Sequence, residues 1–146
     1  MHLLFSLEFA IKMKKIKELD GMFRLLMVGS GGFFGAISRY ALSGLTYRIV
    51  KNPWFPFGTM VVNILGCVLI GFLAGLAESR QIFSPDARAF WLIGFIGSFT
   101  TFSTFSYETL GLAQDGQLNS ALLNLGLHLV LGLLGVWLGS AAAKLI

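Results

Sequence analysis

The sequence predicts an all-α membrane protein of four transmembrane helices, the third of them broken near its middle. Three observations carry that expectation. The composition is too apolar for a surface facing water, four apolar segments have bilayer-crossing length, and one of these is interrupted by a dense run of hydroxyl side chains.

Of the 146 residues, 55% are apolar and only 12% are charged, with a mean hydropathy of +0.77. A soluble fold of this size could not cover its surface with so few ionisable groups, whereas lipid is a solvent that suits the balance. The formal charge is +4, but the basic residues do not alternate with aromatics on a polar face, which argues against nucleic acid as a partner. They gather instead at Lys12, Lys14, Lys15, Lys17 and Arg24, as expected at a membrane edge. The single cysteine, Cys67, cannot form an intrachain disulfide and reads as a small packing residue.

Residues 1–21 form an extension with Leu3, Leu4, Phe5, Leu7, Phe9 and Ile11 ahead of its lysines. That order reverses the plan of a secretion signal, which places positive charge before the apolar run. The extension reads either as a short interfacial helix or as sequence upstream of a start at Met22, and both readings stand. Residues 22–146 then form one four-helix domain, with crossings expected at 23–45, 57–77, 89–112 and 118–143. Each is near the ~20 residues that a helix needs to span ~30 Å of hydrocarbon. The connectors carry turn chemistry: Lys51-Asn52-Pro53, then Glu78-Ser79-Arg80 through Ser84-Pro85-Asp86, then Gln114-Asp115-Gly116-Gln117.

Four crossings leave both termini on one side. Counted from Met22, that side holds Arg24, Arg80, Arg88 and Lys144, and the opposite side holds Arg39, Arg48 and Lys51. Lys and Arg near helix ends favour the cytoplasm, so this near-balance permits insertion in both orientations and hence an antiparallel homodimer. With the lysine-rich extension included, termini inside are favoured.

Small or polar residues recur every fourth position. The first crossing has Gly31, Gly35, Arg39 and Ser43, the second has Thr59, Asn63, Cys67, Gly71 and Gly75, and the fourth has Asn124, His128 and Gly132 followed by Gly135 and Gly139. Each series traces one slowly drifting helix face along which backbones can approach in lipid. Asn63 stands about six positions into an apolar helix, where its amide needs a partner or water. Asn124 and His128 suggest a second polar track, and no nearby Cys, Asp or Glu completes a zinc site with the histidine.

The third crossing carries the most specific stretch, Gly97-Ser98-Phe99-Thr100-Thr101-Phe102-Ser103-Thr104-Phe105, which leads on to Glu108. Clustered Ser and Thr hydroxyls compete for backbone groups, so a helix break is expected within 97–101. Inside a bilayer such a break is tolerated only where it is buried in protein or lines a wet cavity, and its freed carbonyls suit a cation. Phe102 and Phe105 share a face, and the electropositive edges of their rings can touch an anion without holding it strongly.

These residues resemble the CrcB/Fluc fluoride channels. The likeness rests on Gly31-Gly32-Phe33-Phe34-Gly35-Ala36-Ile37-Ser38-Arg39-Tyr40, on Gly58-Thr59-Met60-Val61-Val62-Asn63 and on residues 97–105 with their Thr-Thr-Phe-Ser-Thr-Phe core, and it spans about 22–144 in order. The resemblance implies a passive channel of the bacterial inner membrane that exports cytoplasmic fluoride and lowers its toxicity. It implies an antiparallel, dual-topology homodimer with two pores and a structural Na+ at its centre, bound by the backbone carbonyls of Gly97 and Thr100. It places Asn63, Phe102 and Phe105 in contact with fluoride, Thr59 and Glu108 nearer the pore mouths, Thr104 within the same motif, and Arg39 at a vestibule or in a structural role.

One departure stands out. The family commonly carries a tyrosine and a serine on the pore-lining face of its fourth helix, where this chain has Asn124 and His128. A histidine there would make conduction respond to pH. Two other classes compete with the channel. A small multidrug-type, proton-coupled exporter needs a membrane-embedded carboxylate, and the first crossing has none. A non-transporting assembly subunit would need only the glycine faces, and it leaves the hydroxyl-rich break unexplained. An enzyme is not expected, because no nucleophile with an adjacent base and no phosphate-cradling loop is present.

Overall fold

The computed structural model describes residues 2–51, 54–80 and 82–146, and for 2–18 the backbone only. The side chains of Lys12, Lys14, Lys15 and Lys17, together with Asn52 and Pro53 of the first connector, lie outside the described residues. The chain is helical: α1 is His2–Ile49 and α2 is Phe57–Ser79. α3 joins Pro85–Arg88, a π-helical run Ala89–Ile96 and Gly97–Phe99, α4 is Phe102–Gln114, and α5 is Leu118–Leu145. Among the described residues, four stretches are long and apolar enough to cross a bilayer: Leu19–Ile49, Phe57–Ser79, Pro85–Gln114 and Leu118–Leu145. The protein is therefore a multi-pass membrane protein, with α3 and α4 the two halves of one crossing.

The four spans outrun the expected apolar segments by up to about four residues at an end, where polar groups finish them, and α1 also runs back through the extension to His2. Ser84 caps α3, its Oγ accepting from the Ala87 N–H at 3.2 Å, and Pro85 follows at the first helical position. At the other end Arg88 donates from Nη2 to the Ala77 carbonyl at 2.6 Å, closing the end of α2. The third connector turns at Gly116, whose φ of 75° favours glycine. There the Gln117 N–H reaches the Leu112 carbonyl at 2.8 Å.

Two close seams organise the bundle, and glycines line both. Along α1/α3, a Cβ at Gly31 or Gly35 would strike the carbonyl oxygen of Phe90 or Phe95, and one at Gly94 would strike that of Val28. Along α2/α5, Gly71 lies against the Val136 backbone, Gly139 against Val68 and Gly75 against Ala143. Such approach is how helices associate in lipid, where apolar burial from water supplies little. The π-helical run of α3 lies where the α1 glycines touch its backbone. Leu25, Phe33, Ile93, Leu129, Leu133 and Trp137 point outward, which suits acyl chains and not water.

The third crossing is interrupted within the expected window, and the interruption is short. Gly97 keeps helical angles (φ −59°, ψ −33°). The chain becomes extended at Thr100 (φ −87°, ψ 160°) and Thr101 (φ −151°, ψ 115°), and it restarts as α4 when Thr101 Oγ1 accepts from the Thr104 N–H at 3.3 Å. A glycine costs a helix only about 1 kcal/mol relative to alanine. Diversion of the Thr101 backbone to a partner on another helix is what ends α3.

Candidate functional site

That partner is Asn63. From the middle of α2 its Nδ2 donates to the Thr101 carbonyl at 3.0 Å, and its Oδ1 accepts from the Thr101 N–H at 2.9 Å. The side-chain amide thus takes both hydrogen-bonding roles of a neighbouring peptide group, and it satisfies the backbone that the break exposes. Two carbonyls lose their helical donors in consequence. The Thr101 N–H that an unbroken helix would turn to Gly97 faces Asn63, and the Thr104 N–H that would serve Thr100 faces the Thr101 hydroxyl.

Two grooves meet at this point. One, of about 820 Å³, is lined by Arg39, Tyr40, Ser43, Tyr47 and Arg48 of α1 and by Thr59, Thr101 and Thr104. The other, of about 720 Å³, is lined by Asn63, Cys67, Ile96, Gly97, Thr100, Thr101, Phe102, Phe105 and His128, among others. Thr101 belongs to both walls. Among the described lining residues, only the first groove carries charged side chains, Arg39 and Arg48, and the second offers neutral polar and apolar groups.

The two phenylalanines that share a face in the sequence separate in exposure. Phe102 is 80% exposed and Phe105 only 8%, although their ring centroids are 5.6 Å apart. Phe105 lies under α5, its centroid 4.3 Å from that of the His128 imidazole. His128 Nδ1 is 3.0 Å from the Asn124 carbonyl oxygen. Asn124 itself is fully buried, and its Nδ2 donates at 2.7 Å to Thr109 Oγ1, which in turn donates to the Phe105 carbonyl at 2.7 Å. Glu108 accepts from Thr59 Oγ1 at 2.8 Å. Among the described residues, three enclosed side-chain atoms lack a protein partner, Glu108 Oε2, Asn124 Oδ1 and His128 Nε2. All three lie on α4 and α5.

The structure therefore gathers Asn63, Gly97, Thr100, Phe102, Phe105 and His128 at one groove, and Arg39, Thr59 and Thr104 at the other. Glu108 joins them through Thr59, and Asn124 sits behind Phe105 and His128 rather than on a groove wall. Sequence reasoning had Thr101 only as part of the break and Arg48 only in the charge balance, and it missed Thr109. Thr109 follows Phe105 by one turn on the face turned to α5, and that spacing was the available signal.

Residues 26–140 match the family model described as CrcB-like protein, Camphor Resistance (CrcB). A relative from Nitratidesulfovibrio vulgaris named "Fluoride-specific ion channel FluC" is 43% identical over 125 residues, which is 86% of this chain and 100% of that protein. One of the same name from Chlorobium luteolum is 47% identical over 120 residues, 82% of this chain and 92% of that protein. Another from Acidobacterium capsulatum is 44% identical over 116 residues, 80% and 92% of the two. A family model matched over residues 26–140, with relatives more than 40% identical over most of their length, means that this protein belongs to the CrcB family.

Proposed function

We propose that this protein is a passive fluoride channel of a bacterial inner membrane, relieving the cell of cytoplasmic fluoride. The reading is carried by one observation. An interrupted transmembrane helix, pinned by Asn63, lies between a groove with two arginines and a groove walled by amide, hydroxyl and phenylalanine side chains. Such walls offer weak contacts in series, which conduction requires, and present no strongly binding cation along the second groove. The names of the relatives support fluoride as the ion. In this reading Asn63, Phe102 and Phe105 touch the ion, Thr59, Thr104 and Glu108 lie toward the mouth, His128 forms the α5 side with Asn124 behind it, and Arg39 attracts.

The assembly is an antiparallel homodimer inserted in both orientations. The near-balance of basic residues from Met22 onward supports it, as does the open edge of both grooves, which a second copy would close. A structural Na+ at the dimer centre would be held by the Gly97 and Thr100 carbonyls. These oxygens fit a hard cation because the break has removed their helical donors. The ion would supply charge to fix the break and no chemistry of transport.

Fluoride efflux from liposomes holding purified protein, driven by a fluoride gradient alone, tests the reading. Wild type is expected to empty the vesicles without a proton gradient, and Asn63→Ala and Phe102→Ala to slow efflux at least about tenfold, a transition-state cost of about 1.4 kcal/mol. Efflux that needs a proton gradient would point to an exporter. Wild-type vesicles that retain fluoride would point to an assembly subunit, and unchanged efflux in both variants would move the pathway elsewhere.

A further inference from the structure

His128 has one ring nitrogen committed and the other not. A carbonyl oxygen can only accept, so the 3.0 Å contact to Asn124 requires Nδ1 to carry a proton. In the neutral ring Nε2 is then a bare lone pair, and it is enclosed with no protein partner while its side chain lines the second groove. The surroundings leave His128 to set the charge of this wall. From α2 the titratable neighbour on the groove is Cys67, a thiol that is neutral in acid; the α4 carboxylate, Glu108, is off the groove lining, its Oε1 taking the Thr59 hydroxyl and its Oε2 without a protein partner. α3 contributes only Leu92, Ile96 and Gly97, α5 adds no other titratable group, and no Lys or Arg lines the groove among the described residues.

We propose that His128 is a proton-controlled anion contact: neutral, it holds an enclosed lone pair in the groove wall, and protonated, an N–H in that place, so acid opens the pathway to an anion. The inference rests on the reading of this chain as an anion channel. A lone pair repels an anion, whereas an imidazolium N–H gives a charge-assisted hydrogen bond, and the Phe105 ring beside it tolerates the cation.

The test uses the full chain in liposomes, with fluoride efflux followed by electrode at about pH 5.5 and about pH 7.5, and protein-free vesicles subtracted because hydrogen fluoride leaks in acid. The protonated fraction of an imidazole rises from the higher of these values to the lower. Wild type should run several-fold faster in acid, and His128→Gln, which offers an N–H at both values, should bring the ratio of rates near one. A flat wild-type ratio, or an unaltered ratio in His128→Gln, overturns the proposal.

A second readout needs no flux. Ring-labelled histidine NMR of the protein in bicelles at about pH 6.5 resolves the chain's two histidines, His2 and His128. By the reciprocity of linked binding, fluoride added in place of gluconate should raise the protonated fraction of His128 and leave His2 unchanged. Absence of a fluoride response at His128 overturns the proposal. If no wild-type efflux is seen at either pH, the channel reading fails, and the NMR response still decides for or against His128 as the anion contact.

Discussion

The two halves of α5 solve the same problem in opposite ways. From Gly132 to Ala143 the helix meets α2 through glycines so close that backbone touches backbone, and the side chains met at those glycines are Cys67, Val68 and Ala143. From Ala121 to His128 it meets α4 through Asn124, Thr109, Phe105 and His128, and two of its enclosed polar atoms have no partner. The first half is a fixed seam. The second holds polar atoms in reserve, at a cost that a purely structural contact would not carry, and the reserve lies beside the groove proposed for the ion.

If that contrast is right, the seam should be the least forgiving place in the molecule. A Cβ at Gly139 would meet the Val68 carbonyl and, at 2.8 Å, the Phe72 nitrogen, neither of which can rotate away. Gly139→Ala is expected to cost about 3 kcal/mol, read as a loss of folded protein in reversible unfolding in mixed micelles. Gly126, on the same helix, has nothing within 4 Å of such a Cβ. Gly126→Ala should change stability by less than about 1 kcal/mol in a monomer. An effect at Gly126 equal to that at Gly139 would show that another surface covers it in the assembly.

The polar half predicts a smaller and more selective response. Thr109→Val keeps the shape and removes the acceptor of the Asn124 amide. It should cost about 1–2 kcal/mol, the penalty for a stranded donor in a membrane interior where hydrogen bonds are worth modest amounts. Thr109→Ser restores the hydroxyl and should recover most of the stability. If valine and serine are equally stable in the same unfolding assay, Asn124 is finding another partner, and the α4/α5 contact is looser than described.

What the sequence disclosed follows the same division. Helix number, the glycine faces and the position of the break were legible because each depends on local chemistry: apolar length, absent side chains, clustered hydroxyls. The break fell at Thr100 and Thr101, inside the expected 97–101, yet Gly97 stayed helical because glycine permits an interruption without causing one. What closed the account was Asn63 on a different helix, and a sequence shows that an amide is in lipid without showing which backbone it will reach. The π-helical winding of Ala89–Ile96 was invisible for a related reason, since it lies where the glycines of α1 meet the α3 backbone and has no local signature. Phe102 and Phe105 shared a helical face on paper, but only the placement of α5 buries one ring and leaves the other exposed.

The smallest effects belong to the membrane edge, where the same distinction between committed and uncommitted groups applies to charge. Arg88 is committed: its guanidinium closes the end of α2 at the Ala77 carbonyl, a charge-assisted bond at the negative end of a helix dipole. Arg88→Gln should cost about 1 kcal/mol. Two residues earlier, Asp86 pairs with Arg24 at 3.4 Å with both side chains about half exposed. Asp86→Asn should therefore change stability by no more than about 0.5 kcal/mol, and less in high salt, because exposed pairs gain little over hydration. A salt-insensitive loss at Asp86 larger than that at Arg88 would mean that the pair is shielded, either by lipid headgroups or by the partner copy. The quiet edge of the molecule would then be part of its assembly surface.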